Sequence, residues 1–415
     1  MKRGEKKKGA NGICILCGIC AVITFINIRF HSNHTPSVTM DHETVLDTAN
    51  DAIQIQENPV RLQIPHNISR PPPVVNIPPV PKNGVPSHWT PVSVGSGSDP
   101  TINLCKLDYD SYWRNPNNLP MFKDLVGKSK CSGKNSKSAK LSVLKKEMEA
   151  DPDGTLQPTG FVFHESRCGS TLVADMLGSQ AHHLVFSESA PPSSIASRGP
   201  NAHRVLRDVM LLMCRSSYHT RCFFKFQSIN APRIKTYLAA FPDVPWTFVF
   251  REPVQVMMSH LKGSGSHAGA VCMRSRRSPT AKHKQIIAEL GKGSSSVSAE
   301  EFCAVHLAYL SESAYEAFTS TSTGMLLNYE DLPSILPSKV VGDHFRVPLD
   351  AEGQTRMLNV AKIYSKGRKG SPKKGEFTGD SLKKENTASD AVKNAAAQFL
   401  YPSYRKLAAA SVKAH

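Results

Sequence analysis

From residue 160 onward, short apolar runs alternate with segments whose apolar side chains recur every third or fourth position. The runs Phe161–Phe163, Leu184–Phe186, Cys222–Phe226, Trp246–Phe250 and Met325–Asn328 predict strands. Between them, Leu172, Val173, Met176 and Leu177 keep helical spacing. A longer helix is predicted from Ser298. Glu301 completes a capping box there, and Phe302, Val305, Tyr309 and Leu310 form its apolar face. Strands alternating with helices predict an α/β domain over residues 156–415, built on a parallel β-sheet flanked by helices.

Before residue 156 the pattern changes. Lys2, Arg3, Lys6, Lys7 and Lys8 precede an uncharged apolar stretch from Gly12 to Ile28. Residues 1–11 therefore read as a basic cytosolic tail and 12–30 as a transmembrane signal anchor. A cleaved signal peptide is the alternative. The stretch is at the short end for a span, which suits the thin membranes of the early secretory pathway. Either way the rest of the chain lies on the lumenal or extracellular side, in keeping with the sequons at Asn33 and Asn67. Residues 31–100 are polar and hold the prolines Pro71, Pro72, Pro73, Pro78, Pro79 and Pro81; they read as a mostly disordered stem. Residues 101–155 hold Tyr109, Tyr112, Trp113, Cys105 and Cys131, and predict a small stapled cap. Residues 261–298, rich in Gly, Ser and basic side chains, read as a mobile insertion. A basic stretch from Lys362 to Lys384 precedes a final Ala-rich helix, and there is no internal repeat.

Charge narrows the partners. The 51 Lys and Arg against 34 Asp and Glu leave a formal net charge of +17, which suits an anionic nucleotide, an acidic glycan or a lipid surface. Aromatic residues are only 7% and are not interleaved with basic ones, which argues against nucleic acid. Cys14, Cys17 and Cys20 fall inside the apolar stretch with no ligand spacing for a metal. Of the other seven cysteines, Cys105–Cys131 and Cys214–Cys222 are plausible pairs. An odd number leaves at least one thiol over, and sequence does not fix the connectivity.

One segment carries the chemistry. Gly160 to Val173 reads as a strand, a tight polar loop and a helix start. Gly169 lets backbone N–H groups approach an oxyanion, Ser170 and Thr171 add hydroxyls, Arg167 adds charge, and the helix adds its positive end. No Lys follows Gly169, so the triphosphate-binding GxxxxGK[ST] pattern is missing. Cys168 is not followed by the C-x5-R spacing of a phosphatase, because Ala174 stands at that place.

The string Ser166-Arg-Cys-Gly-Ser-Thr-Leu resembles the 5′-phosphosulfate loop of sulfotransferases that use 3′-phosphoadenosine 5′-phosphosulfate (PAPS). Farther on, Trp246-Thr-Phe-Val-Phe-Arg-Glu-Pro resembles that family's 3′-phosphate motif, with Arg251 closing a strand and Ser259 eight residues later. Leu326-Leu-Asn-Tyr-Glu-Asp-Leu resembles a strand-ending Tyr-Glu-Asp-Leu, read as structural. Arg368-Lys369-Gly370 resembles the loop that closes over the 3′-phosphate. The resemblance spans about residues 160 to 405 in motifs rather than throughout. It implies a P-loop sulfotransferase fold; taken with the N-terminal pattern, it predicts a Golgi-type, single-pass type II membrane protein with its catalytic domain in the lumen. PAPS would be the co-substrate, with no metal. Arg167, Cys168, Gly169, Ser170 and Thr171 would bind the 5′ side; Arg251, Ser259, Arg368, Lys369 and Gly370 would bind the 3′ side.

Sulfuryl transfer needs a base for the acceptor and positive charge for the leaving phosphate. Arg167 and Lys225 suit the second task. Cytosolic relatives in the resembled family carry a His two residues after the strand Lys, but here that place is Gln227. Glu188, just after the second strand, is the candidate base, through a carboxyl whose pKa partial desolvation would raise. His164 and His260 read as structural hydrogen bonders. The acceptor is open: glycan, protein tyrosine, lipid or small metabolite. Two rival readings are a nucleotide-sugar glycosyltransferase, whose Asp-x-Asp motif is missing from the predicted domain, and a non-enzymatic binder of acidic glycans.

Overall fold

The computed structural model describes residues 79–199, 201–261, 269–365 and 379–413. The basic tail, the anchor segment, Asn33, Asn67, most of the stem, and Arg368, Lys369 and Gly370 lie outside the described residues. Among the described residues no helix is long and apolar enough to cross a membrane.

The first folded element lies within the range assigned to the stem. Strand β1 (Trp89–Val94) pairs antiparallel with β2 (Thr101–Lys106), which pairs antiparallel with β3 (Ser136–Lys140). The stem expected to reach residue 100 thus ends earlier, and β1 belongs to the cap. Pro91 disguises it. Proline lacks a ladder donor and is confined to edges and bulges, and β1 is an edge whose register shifts between Pro91 and Ser93. Helices α1 (Tyr109–Arg114) and α2 (Phe122–Lys128) fill the connection from β2 to β3, and α3 (Leu141–Ala150) follows. The Cys105–Cys131 disulfide staples this unit, and Tyr109 and Tyr112 are buried in it.

The main sheet is parallel, in the order β5-β6-β4-β7-β8. Its strands are β4 (Gly160–His164), β5 (His183–Ser187), β6 (Arg221–Lys225), β7 (Trp246–Phe250) and β8 (Gly324–Asn328). Every residue of β4, β5 and β7 is buried, as expected of strands covered by helices on both faces. This is why they read as continuous apolar runs rather than alternating ones. Helix α4 (Ser170–Gly178) follows β4, while α5 (Ala190–Ala196) and α6 (Ala202–Met213) lie between β5 and β6. Helix α7 (Ile234–Ala240) leads to β7, and α8 (Pro253–His260) leaves it. Phe161, Phe163, Phe226 and Tyr237 pack ring on ring beneath β4.

Residues 269–298, expected to be part of a mobile insertion, carry a 3-10 turn (Val271–Met273) and helix α9 (Ala281–Ala288). They lead into α10 (Ala299–Thr319), capped by Ser298 and Glu301 as the pattern requires. The Cys272–Cys303 disulfide ties the turn to α10. Met273, Ile286 and Ile287 join Val256 and Met257 of α8 in a second apolar cluster. The Gly, Ser and basic residues around them masked this small core. Helices α11 (Ala351–Ala361), α12 (Ser381–Thr387), α13 (Asp390–Ala395) and α14 (Tyr401–Ala410) complete the fold. Cys214 pairs with Cys222, and among the described residues Cys168 is the thiol left over.

Sheet order places the site. From β4 the chain crosses toward β5 on one side, whereas from β7 it crosses toward β8 on the other. The neighbours β4 and β7 therefore flank a switch point, where a crevice opens at the strands' carboxyl ends.

Candidate active site

Loop 165–169 leaves β4 through a rare sequence of backbone conformations. Ser166, Arg167 and Gly169 all have positive φ, at 81°, 56° and 88°. Glycine adopts this freely, but for Ser and Arg it costs on the order of 1–3 kcal/mol each, so the surroundings must impose it. His164 Nδ1 accepts the Ser166 N–H at 2.9 Å, which leaves Nε2 to donate to the Phe226 carbonyl at 2.9 Å. That bonding makes His164 a neutral structural hydrogen bonder. The Glu165 N–H and the Cys168 thiol both donate to the Val249 carbonyl, at 3.2 and 3.0 Å. Burial pushes the Cys168 thiol up to about 12, so its side chain is an anchor and not a nucleophile.

The loop so held opens onto the first turn of α4, which no side chain caps. Ser170 and Thr171 sit on that turn, and the Arg167 guanidinium makes no ion pair among the described residues. Gly169 has a second constraint besides its φ. A Cβ there would meet ring carbons of Tyr329 at 2.5 and 2.8 Å.

The second segment of interest starts where β7 ends. Arg251 is buried, and its guanidinium lies 4.1 Å from the Tyr329 ring centroid. Its Nε donates to Gln255 Oε1 at 2.8 Å and its Nη2 to Ser381 Oγ at 2.9 Å, with Asp380 Oδ1 at 3.5 Å. Ser259, two turns along α8, donates its hydroxyl back to the Gln255 carbonyl at 2.8 Å. Tyr329 therefore stands between the two sites, its hydroxyl held above the ordinary phenol range by burial. Its motif suggested only a structural role, and its ring contacts explain that motif better.

Glu188 follows β5 with φ 57°, and its N–H donates to the Lys225 carbonyl at 2.6 Å. Its carboxylate bonds the Lys225 ammonium and lies 3.8 Å from His164 Nε2. Lys225 is 1% exposed while the Glu188 side chain is 29% exposed, so only the acid reaches the cleft surface. The lysine acts here on Glu188 instead of facing the cleft directly.

A single cleft of about 310 Å³ gathers these groups. Arg167, Gly169, Ser170, Thr171, Arg251 and Ser259 line it, and so does Glu188. Cys168 and Lys225 stand behind its wall. Two contributors, Arg274 and Asp380, escaped the sequence, whereas Lys384 closes the basic stretch already noted. Arg274 reaches the cleft from the turn of the supposed loop, and Asp380 and Lys384 reach it from the start of α12. Glu165 was hidden inside the quoted motif. Its Oε1 accepts the Arg251 N–H at 2.6 Å and its Oε2 the Ser311 hydroxyl at 3.3 Å. Burial raises its carboxyl to about 8, keeping it protonated at neutral pH. An acid beside an anion loop looks repulsive in sequence, but a neutral buried one is not. Among the described residues no group of three His, Cys, Asp or Glu is placed to hold a metal ion.

No protein-family model and no curated protein matches the sequence. Among solved structures, the chain is similar to the sulfotransferase domain from the curacin biosynthetic pathway, at 14% identity over 59% of this chain and 97% of that one, TM-score 0.33. It is also similar to the sulfotransferase domain of the Synechococcus PCC 7002 olefin synthase, at 11% identity over 62% and 95%, TM-score 0.36. A sulfotransferase from Mycobacterium avium gives 10% identity over 63% and 81%, TM-score 0.39. All three likenesses are loose in chain path.

Proposed function

We propose that this chain is a sulfotransferase that moves a sulfuryl group from PAPS to a hydroxyl or amine of an acceptor. The observation that carries this is the pairing of two anion sites in one cleft. The loop after β4, left-handed at Arg167 and Gly169, leads to Ser170 and Thr171 of α4, while Arg251 follows the adjacent β7 and Ser259 lies on the helix after it. Phosphates at both ends of a nucleotide are what such a pair selects. The resemblance of both segments to PAPS-binding motifs supports the same reading.

In the reaction the acceptor oxygen or nitrogen bonds to sulfur while the bond from sulfur to the 5′-phosphate oxygen breaks. Glu188 takes the acceptor's proton, and a carboxylate paired with Lys225 is in the form that accepts one. Arg167 and the open N–H groups of α4 receive the charge that appears on the departing phosphate. The charged and apolar pattern of residues 1–30 supports a membrane-anchored enzyme with its catalytic domain in the Golgi lumen.

The test uses the full-length protein. Calorimetry should show adenosine 3′,5′-bisphosphate binding far more tightly than ATP, and equal or absent binding sinks the proposal. A screen of hydroxyl and amine acceptors with labelled PAPS then identifies the acceptor. Glu188→Gln should lower turnover on it on the order of a hundredfold or more while sparing bisphosphate binding.

A further inference from the structure

Among the described residues, the charge at the 3′ end of the cleft is smaller than that of a phosphate monoester. Arg251 and Lys384 are cationic, but Asp380 lies 3.5 Å from the first and 2.6 Å from the second. Two cations and one carboxylate leave a single net positive charge among these described residues. A phosphate monoester carries close to two negative charges at neutral pH, since its second pKa is about 6. Arg368 and Lys369, expected on the same side, lie outside the described residues; among the described ones there is room for another cation beside the phosphate.

Arg274 is placed to be that cation. It follows directly on the 3-10 turn Val271–Met273, and Val271 and Arg274, three residues apart, both line the cleft. Such spacing puts them on one face of a 3-10 turn. Arg274 is exposed and makes no ion pair among the described residues. Between them Cys272 and Met273 point the other way, into the apolar cluster shared with Val256 and Met257 of α8, the helix that carries Ser259. The turn is therefore fixed on α10 and on the apolar cluster that α8 shares, with Arg274 lining the same cleft as Arg251 and Ser259. Cys272 is also bonded to Cys303 of α10, and Arg276 Nη2 donates to the Val297 carbonyl at 2.9 Å. A flexible basic loop would spend most of its time elsewhere, whereas this one is fastened on both sides of its arginine.

We infer that Arg274 supplies a second guanidinium to the nucleotide's 3′-phosphate and that the Cys272–Cys303 disulfide holds it in position. This rests on the reading of the cleft as a bisphosphonucleotide site. It adds a dependence of nucleotide binding on an oxidised, lumen-like environment.

The experiment is calorimetry on the full-length protein with two probes, adenosine 3′,5′-bisphosphate and AMP, which differ only in the 3′-phosphate. Arg274→Ala should weaken bisphosphate binding on the order of tenfold, the worth of one charge-assisted hydrogen bond, and leave AMP binding unchanged. Arg274→Lys should recover part of the loss. The double variant Cys272→Ser, Cys303→Ser should show the same selective loss, and adding Arg274→Ala to it should cost little more. Circular dichroism establishes that each variant is folded before titration; the exposed Arg274→Ala needs no repacking and carries the test by itself. Unchanged bisphosphate binding in Arg274→Ala, or an equal loss for both probes, overturns the inference. If instead the unaltered protein binds the two probes equally, the bisphosphonucleotide reading itself fails, which is a distinguishable result.

Discussion

Arg167 and Arg251 end adjacent parallel strands and serve the same cleft, yet they are held in opposite ways. Arg167 is half-buried, has a left-handed backbone at φ 56° and has no ion-pair partner among the described residues. Arg251 is buried, hydrogen bonded to Gln255 and Ser381, faced by Asp380 and stacked on Tyr329. The first stores strain in the backbone and leaves its charge open, as suits a group that meets charge developing during reaction. The second is preorganised by the protein, as suits a group that fixes a spectator phosphate.

Replacing each arginine breaks the comparison most directly. Arg251→Ala should cost about a hundredfold in bisphosphate affinity, on the scale of buried charge-assisted hydrogen bonds, and should also lower the melting temperature. Arg167→Gly should cost about tenfold in affinity for the 5′ group, yet raise stability by up to about 1 kcal/mol by relieving the left-handed arginine. Calorimetry with the bisphosphate and a thermal melt decide both. A melting temperature that falls in Arg167→Gly would show that Arg167 is held by contacts as Arg251 is, and the contrast would collapse.

The legibility of the two sites in sequence follows the same division. The strands were readable because burial on both faces leaves uninterrupted runs such as Phe161–Phe163 and Trp246–Phe250. The loop was readable because its geometry needs particular residues at particular places, Gly169 above all, where φ is 88° and Tyr329 leaves no room for a Cβ. What could not be read were the contacts made by distant segments. Asp380 and Ser381 meet Arg251 across some 130 positions, and no local pattern announces that. Strand β1 hid behind Pro91, and the turn that presents Arg274 hid in a Gly- and Ser-rich stretch whose short apolar pieces gather only through the third dimension.

Asp380 sharpens the comparison on the Arg251 side. Its carboxylate lies where it competes with an incoming phosphate for the same guanidinium. Asp380→Asn keeps a polar side chain and removes the charge. Bisphosphate affinity should then rise several-fold, on the order of 1 kcal/mol for a partly exposed charge pair, with AMP affinity unchanged. A titration that shows no gain would mean that α12 carries Asp380 out of reach on binding at no cost. The 3′ site would then be as open as the 5′ site.

The remaining effect falls on stability and concerns the residue that joins the two sites. Glu165 leaves β4 and accepts the Arg251 N–H, so its state bears on the loop of one arginine and the backbone of the other. Burial raises its carboxyl from the ordinary range to about 8, so between the unfolded value and that point the folded protein holds a proton that the unfolded chain has released. The sign follows. Stability from this group is complete below the unfolded value and declines as pH rises through about 8. Above about 8 the folded-state carboxyl ionises as well, so the decline levels off without reversing. Glu165→Gln keeps an acceptor for the Arg251 N–H and never ionises. Denaturant melts at pH 6.5 and 8.5 should therefore show the unaltered protein losing stability relative to Glu165→Gln across that interval. Parallel behaviour of the two proteins would mean that Glu165 is already charged at neutral pH. A second fixed negative charge would then lie beside Arg251, and the site described as preorganised for phosphate would need another source of positive charge.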